Sequence, residues 1–549
     1  MADPDPDAAP ADASASPTPA APKATGAGRG VIYIAFAKLY FMVAGALIEF
    51  RLPTILSRAL YGAYGVVSSF VSPVNNVMVT GSIQAVSRFT AQKPETARMV
   101  EAAGLRMHLY IGLPTAILFI AAAPVVGWAM GDTAKIGPMM LAGVIVATYA
   151  FYAVLVGTAN GLRQFNKQAG LDITSATLRA IGILGFTAVG LGVYGAYGGW
   201  VAAAGVVLLL ATVVIGLPPA SARGPEARAL VAPMAKYFAR IAVYLILLNL
   251  ILFVDQILLK FLTAGWYREH GPSLAATVDR VLPDARHVTG FSVDPNAMSD
   301  VQVAYYRAVQ NLARLSYQAI IAATFVIFPL VSKSTFDDDQ ATTRRYVNVT
   351  MRYSLIFATA IAVVMAANPR PLLDIPYADD YATLGAPALT VLALGNVAFS
   401  LFAIAGTILN GAGFTKEAII GAAVTLAVAA IGNLIAIPRC EPGAEALVVA
   451  ASVTGASMVV GAGLSGYFLY KRLGAFLPVV SLVRVLIAVV AAMAVGRVVP
   501  FKSPLMTLVE AALVGVTFLA VLIITRELGK ADLRSIAAVR AKRGQGGDA

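Results

Sequence analysis

The sequence predicts an all-α polytopic membrane protein of about fourteen transmembrane helices: two copies of a six-helix unit, followed by two further helices. Three observations predict it. The 549 residues are 58% hydrophobic and 13% charged with mean hydropathy +0.77, whereas a soluble globular chain is nearer half apolar and a quarter charged. Apolar stretches of about 20 residues, the length that crosses a bilayer, recur along the chain. Short sequence features also recur at offsets near 241–250 residues.

Taken in order, residues 1–30 are rich in Ala, Pro, Asp, Ser and Thr, start acidic and have no apolar core. They read as a disordered cytoplasmic tail and not as a cleavable signal peptide, which leaves the first span to act as the targeting signal. Spans are expected at 31–52, 61–86, 109–130, 137–159, 171–192 and 197–218, forming an N-terminal bundle over 31–219. A cytoplasmic linker follows at 220–240. The second bundle, 241–472, holds spans at 241–263, 303–331, 350–368, 385–409, 417–437 and 444–470, with an outer-loop insertion at 264–302. Two additional spans, 476–499 and 504–525, occupy 473–525, and 526–549 is a basic tail.

In a soluble protein a net charge of +12 would suggest nucleic acid. Here Lys and Arg gather in alternate loops, favouring one side by more than two to one when the N-terminus is placed inside. Both termini are therefore expected in the cytoplasm, with no nucleic-acid partner. The last tail sets Leu533, Ile536 and Val539 among Arg526, Lys530, Arg534, Arg540, Lys542 and Arg543. It reads either as an amphipathic segment on the anionic leaflet or as a solvated tail that enforces topology. Cys440 is the only cysteine, so no internal disulfide and no cysteine metal cluster can form. No GxxxxGK[ST] motif is present, so this chain is not expected to hydrolyse ATP, and no cofactor is expected.

The repeat is read from three matches. Span 4 ends in GTANGLRQFNKQA (Gly157–Ala169) and span 10 in GTILNGAGFTKEA (Gly406–Ala418). Spans 6 and 12 begin GAYGGWVAAA and GAEALVVAAS, at Gly195 and Gly443. Span 2 runs from LYGAYGVV to AVSRF and span 8 from VAYYRAV to LVSKS. Six spans per copy insert both copies the same way, a transporter arrangement with the substrate site between the halves.

Span 8 carries the most informative polarity. Arg307, Gln310, Asn311, Arg314 and Gln318 fall on one helical stripe. An arginine at the centre of a membrane helix costs roughly 2.5–3.5 kcal/mol on insertion scales and normally faces a bundle interior or a water-filled cavity. The stripe therefore predicts a hydrated cationic cavity. Other ionisable residues within spans are Lys38, Glu49, Arg51, Arg179, Asp255, Lys260 and Arg484. Glu49 and Arg51 read as interface markers at the end of span 1, and Arg484 as a residue that snorkels to the inner surface. Asp255 reads first as a counter-ion for an arginine, with a proton or sodium site, or a residue at the membrane interface, as the alternatives. Asn75, Asn76, Gln84, Asn396 and Asn433 are candidates for sugar hydroxyls, or for ordinary interhelical bonds. Pro73 is placed to kink span 2, and Pro329 to end span 8.

The pattern YYRAVQNLARLSYQAIIAATFVIFPLVSK, the two Asn-Gly turns and VDQILLKFL in span 7 resemble the polysaccharide and lipid-linked oligosaccharide flippases of the multidrug/oligosaccharidyl-lipid/polysaccharide (MOP) exporter superfamily. The resemblance covers about residues 30–525. It implies two six-helix bundles in a V, often with two added helices, and location in the bacterial cytoplasmic membrane. It also implies transport, without enzymatic chemistry, of an undecaprenyl-pyrophosphate-linked glycan from inner to outer leaflet. The outer insertion departs from the short loop usual there. On this reading Arg307, Arg314, Lys260 and Lys38 bind the pyrophosphate, with Gln310, Asn311 and Asn76 nearby. The alternative is that Arg307 and Arg314 pair with Asp255 and Glu49 and only hold the halves together. The expected partners are the lipid-linked sugar, membrane lipids and a proton or sodium coupling ion. Two competing functions are a cation-coupled drug antiporter of the same superfamily, and a membrane glycosyltransferase or ligase using His270, Asp279, Asp284 and His287 of the outer loop.

Overall fold

The computed structural model describes residues 25–270, 294–318, 320, 339–498 and 504–529. Within them the chain is helical, with no strand. Helix α1 spans Thr25–Ile55. Helix α2 spans Arg58–Asn76 and passes through a π-helical turn, Val77–Gly81, into α3, Ser82–Gln92. The remaining helices of the first half are α4 (Ala97–Tyr110), α5 (Gly112–Met130), α6 (Ile136–Gly161), α7 (Phe165–Phe186) and α8 (Gly192–Val214). The second half holds α9 (Pro225–Ile251), α10 (Val254–Glu269), α11 (Pro295–Ala313), α12 (Gln340–Ala367), the short α13 (Pro369–Asp374), α14 (Asp379–Gly411), α15 (Thr415–Ala436) and α16 (Ala444–Leu473). Helices α17 (Val479–Val498) and α18 (Pro504–Ile524) follow and pack on α12.

Eleven helical stretches among the described residues are long and apolar enough to cross a membrane. One of them, Phe165–Val214, contains both α7 and α8, which pack on each other across a break at Gly190 (φ +90°) and Gly192. Neither the α2–α3 run nor α11 is among the eleven. Both are expected spans, and their polarity is explained by where they lie. From Met298 to Gln310 every residue of α11 is buried, and α2 packs directly along it. A helix whose polar groups face protein need not be apolar all round.

The repeat is visible in the backbone. Helices α6 and α14 end at Gly161 and Gly411, and α7 and α15 start at Phe165 and Thr415 and are both 22 residues long. The two turns share one hydrogen-bond pattern: Gln164 N donates to Ala159 O at 2.8 Å, and Phe414 N to Leu409 O at 2.8 Å. Helices α2 and α11 are each 19 residues long.

Four boundaries differ from the sequence reading. The expected span at 241–263 is two helices, broken at Leu252–Phe253, where the Leu252 carbonyl accepts from Arg314. The expected linker at 220–240 is shorter, because α9 begins at Pro225. What remains is held by Arg106, which donates to the Arg223 carbonyl, while Arg98 donates to the Ile215 carbonyl just before it. The outer insertion also shrinks. Residues 264–269 extend α10, and 295–302 belong to α11, which Asp294 caps by accepting from Asn296 N and Ala297 N at 2.9 and 3.0 Å. Ser299, Asp300 and Gln302 look like loop residues in sequence but are buried partners of other helices. At the N-terminus, helix already runs from Thr25, inside the expected tail. Asp279, Asp284, His287 and Pro329 lie outside the described residues, as do 1–24 and 530–549.

Candidate functional site

The seam between the halves is built on glycine. A Cβ at Gly62 of α2 would lie 1.7 Å from the Asp300 carbonyl oxygen of α11. One at Gly65 would lie 2.9 Å from Gln256 Nε2 and 3.0 Å from Arg307 Cδ. These two glycines let the α11 backbone approach, and they set the side chains around it.

Arg307 is buried and meets Glu49 of α1 in a two-pronged pair, Nε to Oε2 at 2.9 Å and Nη2 to Oε1 at 2.6 Å. Tyr64 lies under the guanidinium, 4.9 Å from its carbon. Tyr61 and Asn311 both donate to Glu49 Oε2 at 3.0 Å. Glu49 is thus no interface marker: it receives three side chains at the seam. The Arg307–Glu49 pairing is the one named above as the alternative to phosphate binding.

Toward the end of the bundle that holds the α1–α2 and α5–α6 turns, the seam becomes an ion network. Lys135 donates to Asp300 at 2.6 Å and to Asp132. Lys260 pairs with Asp300 at 2.7 Å and with Asp132 at 3.6 Å, and donates to Ser299 Oγ at 2.8 Å. Burial pushes the Asp132 carboxyl up, but Lys135 and Lys260 beside it hold it below its usual value. Lys260 therefore does not line an open cavity. A second cross-seam pair, Arg58 to Asp380 at 3.0 Å through both prongs, takes a further bond from Tyr305 at 2.9 Å.

Asp255 is buried and faces Arg314 across a small cavity, not in a direct ion pair. Tyr306 donates to it at 2.7 Å, Gln310 at 2.9 Å and the Gln256 amide at 2.8 Å. Arg314 donates instead to the Leu252 carbonyl and stacks 4.5 Å from the Phe253 ring. Between them is a cavity of about 10 Å³ lined by Asp255, Gln310, Arg314, Asn396 and Thr454. The side-chain oxygens of Gln310 and Asn396 have no partner. That is room for one water or small cation.

The remaining candidates are dispersed. Lys38 pairs with Asp172 of α7 at 2.9 Å, away from the seam. Asn76 donates to Asn249 of α9 at 2.7 Å, a cross-seam bond beside the π turn. Asn433 and Asn396 donate to carbonyls one turn back. Arg484 pairs with Glu527 at 3.2 Å. Among the described residues the stripe forms a graded seam. Arg307 and Gln310 are buried, Asn311 and Arg314 are half-buried, and Gln318 is exposed. A larger cavity of about 300 Å³ lies between α2, α5, α9 and α10, but its lining, including Phe70, Val74, Phe119 and Leu250, is apolar. The sequence does not single out Asp132, Lys135, Asp172, Asp300 or Asp380. Lys135 and Asp132 read as ordinary loop charges, and only the third dimension brings them to Asp300.

These features define a polytopic membrane protein whose duplicated halves meet along a charged, glycine-lined seam. No family model matches the sequence, and no curated protein matches it. Solved structures do. The lipid II flippase MurJ in an inward closed conformation matches with TM-score 0.67 and 12% identity, over 91% of this chain and 99% of that one. A multidrug resistance MATE family transporter of the MOP superfamily, inward-facing, matches with TM-score 0.55 and 14% identity, over 80% of this chain and 98% of that one. A MOP superfamily transporter from Pyrococcus furiosus matches with TM-score 0.57 and 14% identity, over 81% and 96%. The chain shares the fold of these solved transporters.

Proposed function

We propose that this protein moves a lipid-linked, pyrophosphate-bearing glycan intermediate between leaflets by alternating access. The observation that carries the proposal is the polar stripe of α11 and the residues after it, which runs from the part-buried Arg307–Glu49 pair to the exposed Gln318. Bidentate carboxylate and phosphate recognition use the same guanidinium fork. Glu49 therefore occupies in this state the position that an anionic head group takes when the halves part. The greater coverage by the flippase, 91% of the chain against 80% for the MATE transporter, supports the same reading.

The test is a leaflet assay in proteoliposomes with wild type and an Arg307→Ala/Arg314→Ala double variant. It follows exposure of a lipid-pyrophosphate sugar to an external modifying enzyme. Exposure with wild type alone is the expected result. Equal exposure with both would reduce the arginines to structural links, and no exposure with folded wild type would overturn the proposal.

Asp255 favours a second reading, cation-coupled export. Its carboxylate and the unpartnered oxygens of Gln310 and Asn396 line a space of about 10 Å³, and Arg314, which lines the same space, must turn away for a cation to enter. Under that reading Asp255→Asn abolishes dependence of transport on a sodium or proton gradient. Under the first reading without coupling, gradient collapse and Asp255→Asn both leave leaflet exposure intact.

A further inference from the structure

We infer that Arg179 and Trp200 form the donor side of a phosphate-type oxyanion site at membrane depth in the first half, between α1, α7 and α8. Of the other cations within spans, Arg51 is exposed near the end of α1 and the rest have acceptors. Lys38 has Asp172, Arg307 has Glu49, Arg314 has the Leu252 carbonyl, Lys260 has Asp300 and Arg484 has Glu527. Arg179 has no acceptor among the described residues, and its Nε is buried without a partner. It is held only by ring faces, 4.6 Å from Phe41 and 5.5 Å from Trp200. Trp200 is 7% exposed, and its Nε1 also has no partner. Guanidinium and indole nitrogens can only donate. Two adjacent orphan donors therefore call for one kind of complement, an acceptor-only group.

The packing of α1 on α7 shows what is missing. Lys38 and Gly45 lie two turns apart on one face of α1, and Asp172 and Arg179 two turns apart on one face of α7. In the first layer Lys38 meets Asp172 at 2.9 Å, and the charges cancel. In the second layer Arg179 faces Gly45. A Cβ there would lie 3.6 Å from Arg179 Nη2 and touch nothing else within 4 Å. The cation is present, and open space stands where the first layer has its counter-charge. Arg179 is fourteen residues from the start of α7 and twelve from the end of the following π turn at Leu191, near the middle of the crossing. An unpaired cation at that depth normally faces a cavity that something polar enters. The inference rests on the transport reading for how the anion reaches this depth, and on geometry alone for the site.

The experiment uses full-length protein in detergent micelles with Trp128 and Trp266 replaced by Phe, so that Trp200 is the reporter. Farnesyl pyrophosphate, farnesol, inorganic pyrophosphate and phosphatidylglycerol are titrated, with affinities checked by calorimetry. Farnesyl pyrophosphate is expected to shift Trp200 emission. Arg179→Gln should weaken its binding at least tenfold, with partial recovery in Arg179→Lys. Gly45→Asp, which supplies an internal carboxylate, should weaken binding as much while leaving the thermal midpoint unchanged or raised. Tight binding of phosphatidylglycerol that is lost in Arg179→Gln would support the site and assign it to a bilayer lipid. Tight binding of free pyrophosphate that is lost in the same variant would support the site without a chain requirement. Equal affinity of wild type and Arg179→Gln, or farnesol binding as tightly as farnesyl pyrophosphate, would overturn it. Binding intact with no leaflet exposure would instead count against transport and leave the site standing.

Discussion

Helices α2 and α11 hold the same place in the two copies of the repeat, have the same length and lie against each other, yet their surfaces are opposites. On α2 the contact face is a groove floored by Gly62 and Gly65, with Tyr61 and Tyr64 beside it. On α11 it is a ridge carrying Asp300, Val303 and Arg307. The duplicated backbone supplies two equivalent surfaces, and the side chains have diverged so that one receives the other. Self-packing of two identical polar ridges would bury like charges together. Divergence lets Arg307 find Glu49 and Asp300 find Lys135 across the seam.

Filling the groove should break this complementarity most severely. Gly62→Leu places a side chain where even a Cβ meets backbone oxygen at 1.7 Å, and a carbonyl cannot rotate away as a side chain can. Overpacking of this kind costs roughly 1–3 kcal/mol or more, and here it must also separate the paired charges, adding about 3–5 kcal/mol for each buried pair broken. Transport should be lost. Cys440, buried in the turn next to the Gln302–Gly443 contact, should react with a membrane-impermeant thiol reagent at least tenfold faster. Unchanged Cys440 reactivity in folded Gly62→Leu protein would show that the two helices do not close this end.

Asp300→Asn attacks the ridge. Lys135 and Lys260 would keep only the partial coordination of Asp132, leaving one buried positive charge uncompensated. The expected destabilisation is about 3–5 kcal/mol, read as a fall in thermal midpoint. Adding Lys135→Met removes the excess charge and should recover part of it. Failure of the double variant to recover would mean that the network acts through shape and not through charge.

Glu49→Gln leaves the buried Arg307 guanidinium without its counter-charge and turns one carboxylate oxygen, which accepts from a donor, into a donor itself. It should cost about 3 kcal/mol, at the lower end of the range because Glu49 is only part-buried. If Glu49 holds the guanidinium in competition with substrate, the same variant should bind a lipid pyrophosphate more tightly than wild type, so stability and affinity move in opposite directions. Parallel loss of both would make the pair purely structural. Asn76→Ala, which removes the cross-seam bond to Asn249, should cost roughly 0.6–2 kcal/mol.

The duplicated architecture was legible because its signals are local: span length, the Asn-Gly turns and the spacing between them. The α11 stripe was legible for the same reason. What faces it was not. Arg307 and Glu49 are separated by 258 residues, and nothing near Glu49 in sequence marks it as more than a helix end. Lys260 and Asp300 sit on either side of a polar stretch that reads as loop, so the extension of α11 back to Pro295 was hidden by the charges that stabilise it. Cavity and seam share one sequence signature, a polar stripe on an apolar helix. Only the position of the counter-charge separates them.

The smallest effect sharpens the comparison at the level of backbone. The two repeat turns share their hydrogen bonds, but the left-handed position is Arg163 (φ +58°) in the first copy and Gly413 (φ +88°) in the second. A side chain in that region costs about 1–2 kcal/mol relative to glycine, partly offset by the greater freedom of glycine in the unfolded chain. Arg163→Gly should therefore stabilise by about 1 kcal/mol or less, while Gly413→Ala should destabilise by a similar amount. Both are measurable as shifts in thermal midpoint of opposite sign. If both variants move it the same way, the two turns are not equivalent, and the backbone symmetry of the halves ends short of this loop.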